Sequence, residues 1–355
     1  MNKKLFQELC DAAAIGGNES QVRSIMRREL TKVSDEIITD KLGGIFGVKQ
    51  GPKGAPVIMI AGHMDEVGAM VIGIKDNGLL RMKAIGGLDG AVYQSQHMNV
   101  YTDAGKVIPG VTVTIPPHLL RDGDQKAPST KFDDLLVDVG ASSKKDIEKL
   151  GIQVGDMIVS SNEFKLTADK KKIISKAIDN RWGCYMAIEI LNELKGVDLP
   201  CTVIAGANVQ EEVGLRGAVV STKMVQPDVF IALDASPAGD RYPGDQFGAL
   251  GQGFLLRVLD RVTVMHQGMK IVMKEIAQAE KLPYQEFYSA GGTDAGAAQY
   301  AGSGVAVATI GLPARYIHST TSMMEISDSD VALHMLKAFI LKLNKKQLAK
   351  IQSLV

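Results

Sequence analysis

Aromatic residues are scarce in this chain. Trp, Tyr and Phe make up 5% of it, with a single tryptophan, whereas sugar-binding platforms usually stack their ligand on several rings. Charge of one sign is also lacking: 40 Lys and Arg balance 40 Asp and Glu. A net charge of zero leaves no electrostatic footprint for nucleic acid or an anionic membrane. There are three cysteines, Cys10, Cys184 and Cys201, and none lies in a CxxC pair. That excludes a disulfide framework and a thiolate zinc site, and it suits a reducing compartment. No apolar run approaches the ~20 residues of a membrane span. The opening Met-Asn-Lys-Lys-Leu-Phe-Gln-Glu has no apolar core of a signal peptide, so a cytoplasmic location is expected.

What is present is an alternation of apolar strands and amphipathic helices. Helices are expected over 4–14 and, behind an Asn18/Gln21 capping box, to about Lys32. Strands follow near 35–40, 44–49 and 56–61. From about 69 to 165 short alternating runs are separated by turns such as Asp76-Asn77-Gly78, which reads as a mostly β module with one helix at Ser143 to Leu150. The polar stretch Asp122 to Lys131 reads as an exposed, mobile loop. The longer period then returns. A helix over 180–194 carries Trp182, Met186, Ile190 and Leu194 on one stripe. Strands at 200–209, 228–234, 253–259 and 304–310 alternate with helices, the last over 328–343 before a polar tail. The economical architecture is one α/β domain, 1–67 plus 168–355, with helices on both faces of its sheet and a β-rich insertion over 68–167.

Polar chemistry clusters where the apolar strands end. His63 follows one strand, Asp179 another, and Glu211 and Glu212 follow the run Val203 to Val209; Asp234 closes Val229 to Leu233, and His318 lies beyond 304–310. In α/β sheets ligands bind beyond the carboxyl ends of strands. The adjacent glutamates suit one metal ligand plus one general base, with Gly214 turning the chain. Imidazoles and carboxylates without thiolates suit zinc, cobalt or manganese. Five ligands and a spare glutamate exceed one catalytic zinc and fit two ions. Asp65 is placed to accept the second N–H of His63. Each residue also has a plain structural role open to it. His63 fits a loop, Asp179 the N-cap of helix 180–194, Asp234 an Asx turn before Pro237, and His318 the surface, like His97, His118, His266 and His334.

The stretches Gly62-His63-Met64-Asp65-Glu66-Val67-Gly68, Ala177-Ile178-Asp179-Asn180-Arg181, Gln210-Glu211-Glu212-Val213-Gly214, Leu233-Asp234-Ala235-Ser236 and Arg315-Tyr316-Ile317-His318-Ser319 resemble the motifs of the tetrahedral metallo-aminopeptidases. The closer likeness is to bacterial glutamyl aminopeptidases, and it runs over essentially the whole chain. The resemblance implies a zinc-peptidase-type fold, a mixed sheet sandwiched by helices, whose β-barrel-like insertion pairs subunits into dimers and then a hollow dodecamer. It implies two divalent ions per subunit, with Asp179 bridging, His63 and Asp234 on one ion, and Glu212 and His318 on the other. Peptides would lose their N-terminal residue, Glu or Asp preferentially, to a metal-bridged water activated by Glu211, with Asp65 behind His63.

Acid preference points to Arg257, which shares a strand face with Leu255 and Leu259. A guanidinium among leucines needs a partner. Either a structural carboxylate such as Asp260 or Asp294 supplies it, or the partner is missing until an acidic substrate side chain completes a bidentate pair. Rival readings are a binuclear deacylase of N-acyl amino acids, a cellulase-like glycoside hydrolase and a non-catalytic assembly protein with structural metals. The glycosidase needs two carboxylates flanking a sugar and gives no role to two sheet-edge histidines.

Overall fold

The computed structural model describes residues 1–119, 131–242 and 248–354, so the loop expected over Asp122 to Lys131 lies, but for Lys131, outside the described residues. The small and β-branched runs seen in the sequence form the middle of an 11-stranded mixed sheet. Strand Val57–His63 lies between Thr202–Asn208 and Val229–Pro237 and is parallel to both. Val229–Pro237 continues in parallel to Ala306–Arg315. Four neighbouring carboxyl ends therefore emerge at one edge of the sheet, and all four strands are buried almost throughout, as parallel strands covered on both faces must be. Phe254–Leu259 pairs antiparallel with Ala306–Arg315 and carries Tyr284–Tyr288 on its far side.

Two of these strands run further than the apolar patterns suggest. Asp234 sits within Val229–Pro237, paired with Gly311, and Ala306–Arg315 reaches five residues past the expected end at 310. Backbone pairing continues there because Ala235, Ser236 and Ala314 are small enough to pack under the site.

One face of the sheet is covered by Lys3–Asp11, Ser20–Leu30, Ile178–Glu193, Gln267–Ala279 and Ile326–Lys342. On the other face, Arg216–Val225 and Asp294–Gln299 pack over Phe46, Met59, Phe230 and Val307. Helix Ile178–Glu193 is buried on nearly every side rather than along one stripe, because helices 3–11 and 326–342 cover the face opposite the sheet. Its start comes unusually close to strand Val57–His63. A Cβ on Gly62 would stand 2.5 Å from the Gly183 carbonyl carbon, so glycine at both positions lets this helix begin directly under the site.

The Asn18/Gln21 box does not form. The helix starts at Ser20 without a side-chain cap, and Gln21 instead accepts the Ala13 N–H at 3.1 Å. The tail expected to be polar folds as helix Lys345–Gln352, capped by Asn344, with Ile351 buried. Its few apolar residues lie on one side, and that was enough to dock it.

Strands Gly68–Ile74, Leu80–Ile85, Leu136–Asp138, Val107–Thr112, His97–Tyr101 and Met157–Ser160 close a barrel around Val71, Met82, Val100, Val137 and Ile158. The helix expected within it runs over Lys144–Leu150, with the Ser143 hydroxyl accepting the Asp146 N–H. Lys165–Leu166, expected within the insertion, pairs with Lys172–Ser175 and belongs to the large sheet. Among the described residues no helix is long and apolar enough to cross a membrane.

Candidate metal centre

The parallel register places Asn208 beside His63 at the sheet edge, so the loops after both strands meet. Beyond Asn208 the chain turns at once. The Glu211 carbonyl accepts the N–H groups of Gly214 and Leu215 at 3.0 and 2.8 Å, and Gly214 has φ +124°, a backbone state that favours glycine. The turn puts both glutamate side chains on the same cavity, which a continuing strand could not do. Asp179 reaches that cavity because it does not cap the helix. Asp179 and Asn180 have non-helical backbones, and the Asn180 side chain accepts the Gly183 N–H at 2.9 Å while donating to the Leu233 carbonyl at 2.7 Å. Asn180 caps the continuing turns, and the Asp179 carboxylate is left facing the cavity.

The cluster that results is closely spaced. His63 Nε2 lies 3.5 Å from Asp179 Oδ1 and 3.6 Å from Asp234 Oδ1. His318 Nε2 lies 3.5 Å from Asp179 Oδ2 and 3.7 Å from Glu212 Oε1. Glu211 Oε2 stands 3.9 Å from His63 Nε2. Donors of His63, Glu211 and Asp234 lie within 4.8 Å of one another, as do those of His63, Asp179 and Glu212. These distances are too long for good hydrogen bonds. Two donors bound about 2.0–2.2 Å from one ion at tetrahedral angles stand roughly 3.2–3.6 Å apart, so the spacing fits ligands of shared ions. Asp234 Oδ1 is buried with no hydrogen-bond partner among the described residues, which suits an oxygen that serves as an ion ligand.

The electrostatics point the same way. Burial pushes the carboxyl groups of Glu211 and Asp234 above the usual range. Burial and the neighbouring Asp179 charge take Glu212 to about 8. Burial opposes charge on both imidazoles, yet the carboxylates outweigh it. Glu211, Asp179 and Asp234 raise His63, and Asp179 and Glu212 raise His318 to about 10. Asp179 itself is held low by the two histidines, against its burial. So many mutually repelling carboxylates in one buried place call for cations.

The outer contacts differ from the sequence reading in one respect. His63 Nδ1 donates to the backbone carbonyl of Asp65 at 2.9 Å, and the Asp65 carboxylate is farther from it, at 3.5 Å. That carboxylate instead accepts the N–H groups of Glu211 and Glu212 at 3.0 and 3.1 Å. On the other side, His318 Nδ1 donates to the Gly87 carbonyl at 2.8 Å. Gly87 follows barrel strand Leu80–Ile85, and nothing in its sequence context signals the contact.

A buried ion cluster beneath the site also escaped the sequence reading. Glu66 accepts from Lys176 at 2.8 and 3.0 Å and from Arg181 at 2.9 Å, tying the segment after His63 to the segments on either side of Asp179. The signal was there, since Glu66 adjoins Asp65 and the two cations flank Asp179, but any of the three could have been solvated. Of the other histidines, His97, His118 and His334 are exposed, while His266 caps helix Gln267–Ala279 by accepting the Gly268 N–H.

Arg257 lines the same cavity, of about 420 Å³, with Arg261, Ser289 and Gly291. Of the two alternatives the sequence leaves open for it, a structural carboxylate or no partner before substrate binds, the structure shows the first, with Asp260. The Arg257 Nε stands 3.1 Å from Asp260 Oδ2, and Nη2 donates to the Gly291 carbonyl at 2.6 Å. Asp260 lies three residues on, where a turn folds its carboxylate back toward the strand.

Comparison with known proteins adds the family. The description M42 glutamyl aminopeptidase matches residues 43–335. The chain is 42% identical to a glutamyl aminopeptidase of Lactococcus lactis over 97% of each chain. It is 31% identical to a lysyl aminopeptidase of Pyrococcus furiosus, over 95% of this chain and 96% of that one. Among solved structures, the Pyrococcus horikoshii TET1 peptidase, described as able to assemble into a tetrahedron or a large octahedral shell, superposes with a TM-score of 0.86 at 27% identity, covering 96% of this chain and 99% of that one.

Proposed function

This chain belongs to the M42 glutamyl aminopeptidase family, and on that premise we propose that it is a two-ion hydrolase removing N-terminal residues from peptides, Glu and Asp foremost. The observation that carries the reading is the donor spacing of 3.5–3.7 Å around Asp179, whose two oxygens face different histidines. His63, Asp234 and Asp179 Oδ1 would hold one divalent ion. Glu212, His318 and Asp179 Oδ2 would hold the other. The oxygen and nitrogen donors suit zinc, cobalt or manganese. Bound there, such ions supply Lewis acidity toward the scissile carbonyl and lower the pKa of water toward ~7.

The chain's own residues do the rest. Glu211, buried beside His63, takes a proton from the attacking water and returns it to the departing amine nitrogen as the C–N bond breaks. Asp65 holds the backbone from which Glu211 and Glu212 project.

The relatives pull in opposite directions on specificity, one glutamyl and one lysyl, so the cavity has to decide. Arg257 and Arg261 both line it, and among the described residues the only carboxylates lining it are Asp179, Glu211, Glu212 and Asp234 of the metal-site cluster. An acidic first side chain meets opposite charge there, and a basic one meets like charge. Arg257 is the proposed acid-binding residue. The barrel, whose strands run from Gly68 to Ser160 and which exposes Ile72, Val107, Val111 and Ile115, is proposed to pair the catalytic α/β units into dimers and a dodecamer.

The test is a panel of chromogenic amides of Glu, Asp, Leu and Lys, run beside N-acyl amino acids and cellulose oligomers, with and without chelator. Chelator-sensitive release from the amides, acidic ones fastest, supports the reading. Release from N-acyl amino acids or sugars instead of amides overturns it.

A further inference from the structure

Arg257 and Asp260 are both nearly inaccessible, at 4% and 5% exposure. A guanidinium has five N–H groups, and here their destinations can be followed. Nη2 donates to the Gly291 and Gly292 carbonyls at 2.6 and 3.5 Å, and Nη1 donates to the Ser236 hydroxyl at 3.4 Å. Nε faces Asp260 Oδ2 at 3.1 Å, without the alignment of a hydrogen bond. One N–H on Nη1 thus has no acceptor among the described residues, and Arg257 lines the cavity.

Asp260 is itself fixed from the other side. Its Oδ1 accepts the N–H groups of Val262 and Thr263 at 2.8 and 2.7 Å, and its own N–H reaches the Thr263 carbonyl at 2.9 Å. The carboxylate thus offsets the Arg257 charge with one oxygen while leaving donor capacity on the guanidinium unused. That arrangement differs from a closed bidentate pair, which would consume the fork, and from a bare cation, which would reject every uncharged substrate.

We propose that Asp260 is a specificity-tuning residue: its carboxylate offsets Arg257, so that the cavity favours an acidic first residue without excluding a neutral one. The proposal rests on the reading of Arg257 as the acid-binding residue. A substrate carboxylate then shares the guanidinium with a resident one, which weakens its gain, and a neutral side chain leaves no uncompensated buried charge behind.

Asp260→Asn keeps an oxygen for the Val262 and Thr263 N–H groups and removes the charge. The ratio of kcat/KM for glutamyl-p-nitroanilide over leucyl-p-nitroanilide should rise about tenfold, through a lower KM for the glutamyl substrate and a higher one for the leucyl. Asp260→Glu should hold the ratio near that of the parent. Should Asp260→Asn fail to fold, Asp260→Ser keeps a turn-capping oxygen and should move the ratio the same way. The same experiment includes Arg257→Ala. A ratio unmoved by Arg257→Ala refutes the Arg257 reading, and this inference with it. A ratio that collapses with Arg257→Ala but stays constant or falls with the Asp260 variants refutes this inference alone, leaving Asp260 as a scaffold for its turn.

Discussion

The Asp65 carboxylate accepts the backbone N–H of Glu211 at 3.0 Å through Oδ1, and its other oxygen takes the Glu212 N–H at 3.1 Å. One buried side chain on the loop after strand Val57–His63 thereby fixes the position of two functional side chains on the loop after its neighbour. Both oxygens must accept. Asp65→Asn presents an NH₂ to one of those N–H groups, leaving a buried donor unsatisfied at about 1–3 kcal/mol. Turnover on glutamyl-p-nitroanilide should fall by roughly 10–100-fold, with the melting temperature lowered. Parent-like turnover and melting would show that the clamp is dispensable.

Glu211 and Glu212 are expected to differ in kind. Glu211→Gln keeps shape and an oxygen but cannot take a proton, so kcat should fall by about 10²–10⁴ with ion content retained. Glu212→Gln should lose an ion first. Elemental analysis and kinetics on the two purified variants separate these outcomes, and equal losses in both would contradict the division of labour.

Glu66 is the only carboxylate hydrogen-bonded to Lys176 and Arg181 among the described residues. All three side chains are at most 4% exposed, so Glu66→Gln strands two cations in the interior. Breaking a buried pair in this way costs about 3–5 kcal/mol. Urea unfolding should register a loss of that size, while a surface-like change below about 1 kcal/mol would contradict it.

Proton linkage gives a pH signature in the ion-free protein. The folded state holds Glu212 at about 8, above an unfolded value near ~4.3, and His318 at about 10, above ~6.5. Both groups bind more protons folded than unfolded. Their contribution is complete below the unfolded values, and it is lost as pH rises through the folded ones. The melting temperature of chelator-treated protein should therefore fall from pH 5 to 9. Ion uptake at pH 7 should release protons, detected by calorimetry in buffers of different ionisation enthalpy. A melting temperature that rises over this range would contradict the assignment.

Much of this was legible in the sequence because strand ends announce themselves: an apolar run that stops on His63, Glu211 or Asp234 locates the edge where loops converge. The roles within each loop were less legible. Whether Asp179 or Asn180 capped the helix depended on a local backbone departure at 179–180, which periodicity does not report. Asp65 and His63 are two apart and looked like partners, yet the strand register sends the Asp65 carboxylate across to Glu211 and Glu212. Asp260 was weighed as a partner for Arg257, but a turn had to be in place before three residues of separation became 3.1 Å. The contact from Gly87 to His318 crosses 231 residues and is made by a backbone carbonyl, which no side-chain pattern can signal.

The central claim, that this cluster holds two ions and works with both, is met most directly by titrating ion-free protein with zinc, cobalt or manganese while following bound ions and glutamyl-p-nitroanilide turnover in the same samples. The account expects saturation at two ions per chain, with turnover appearing as the second binds. Full activity with one ion or none would contradict it.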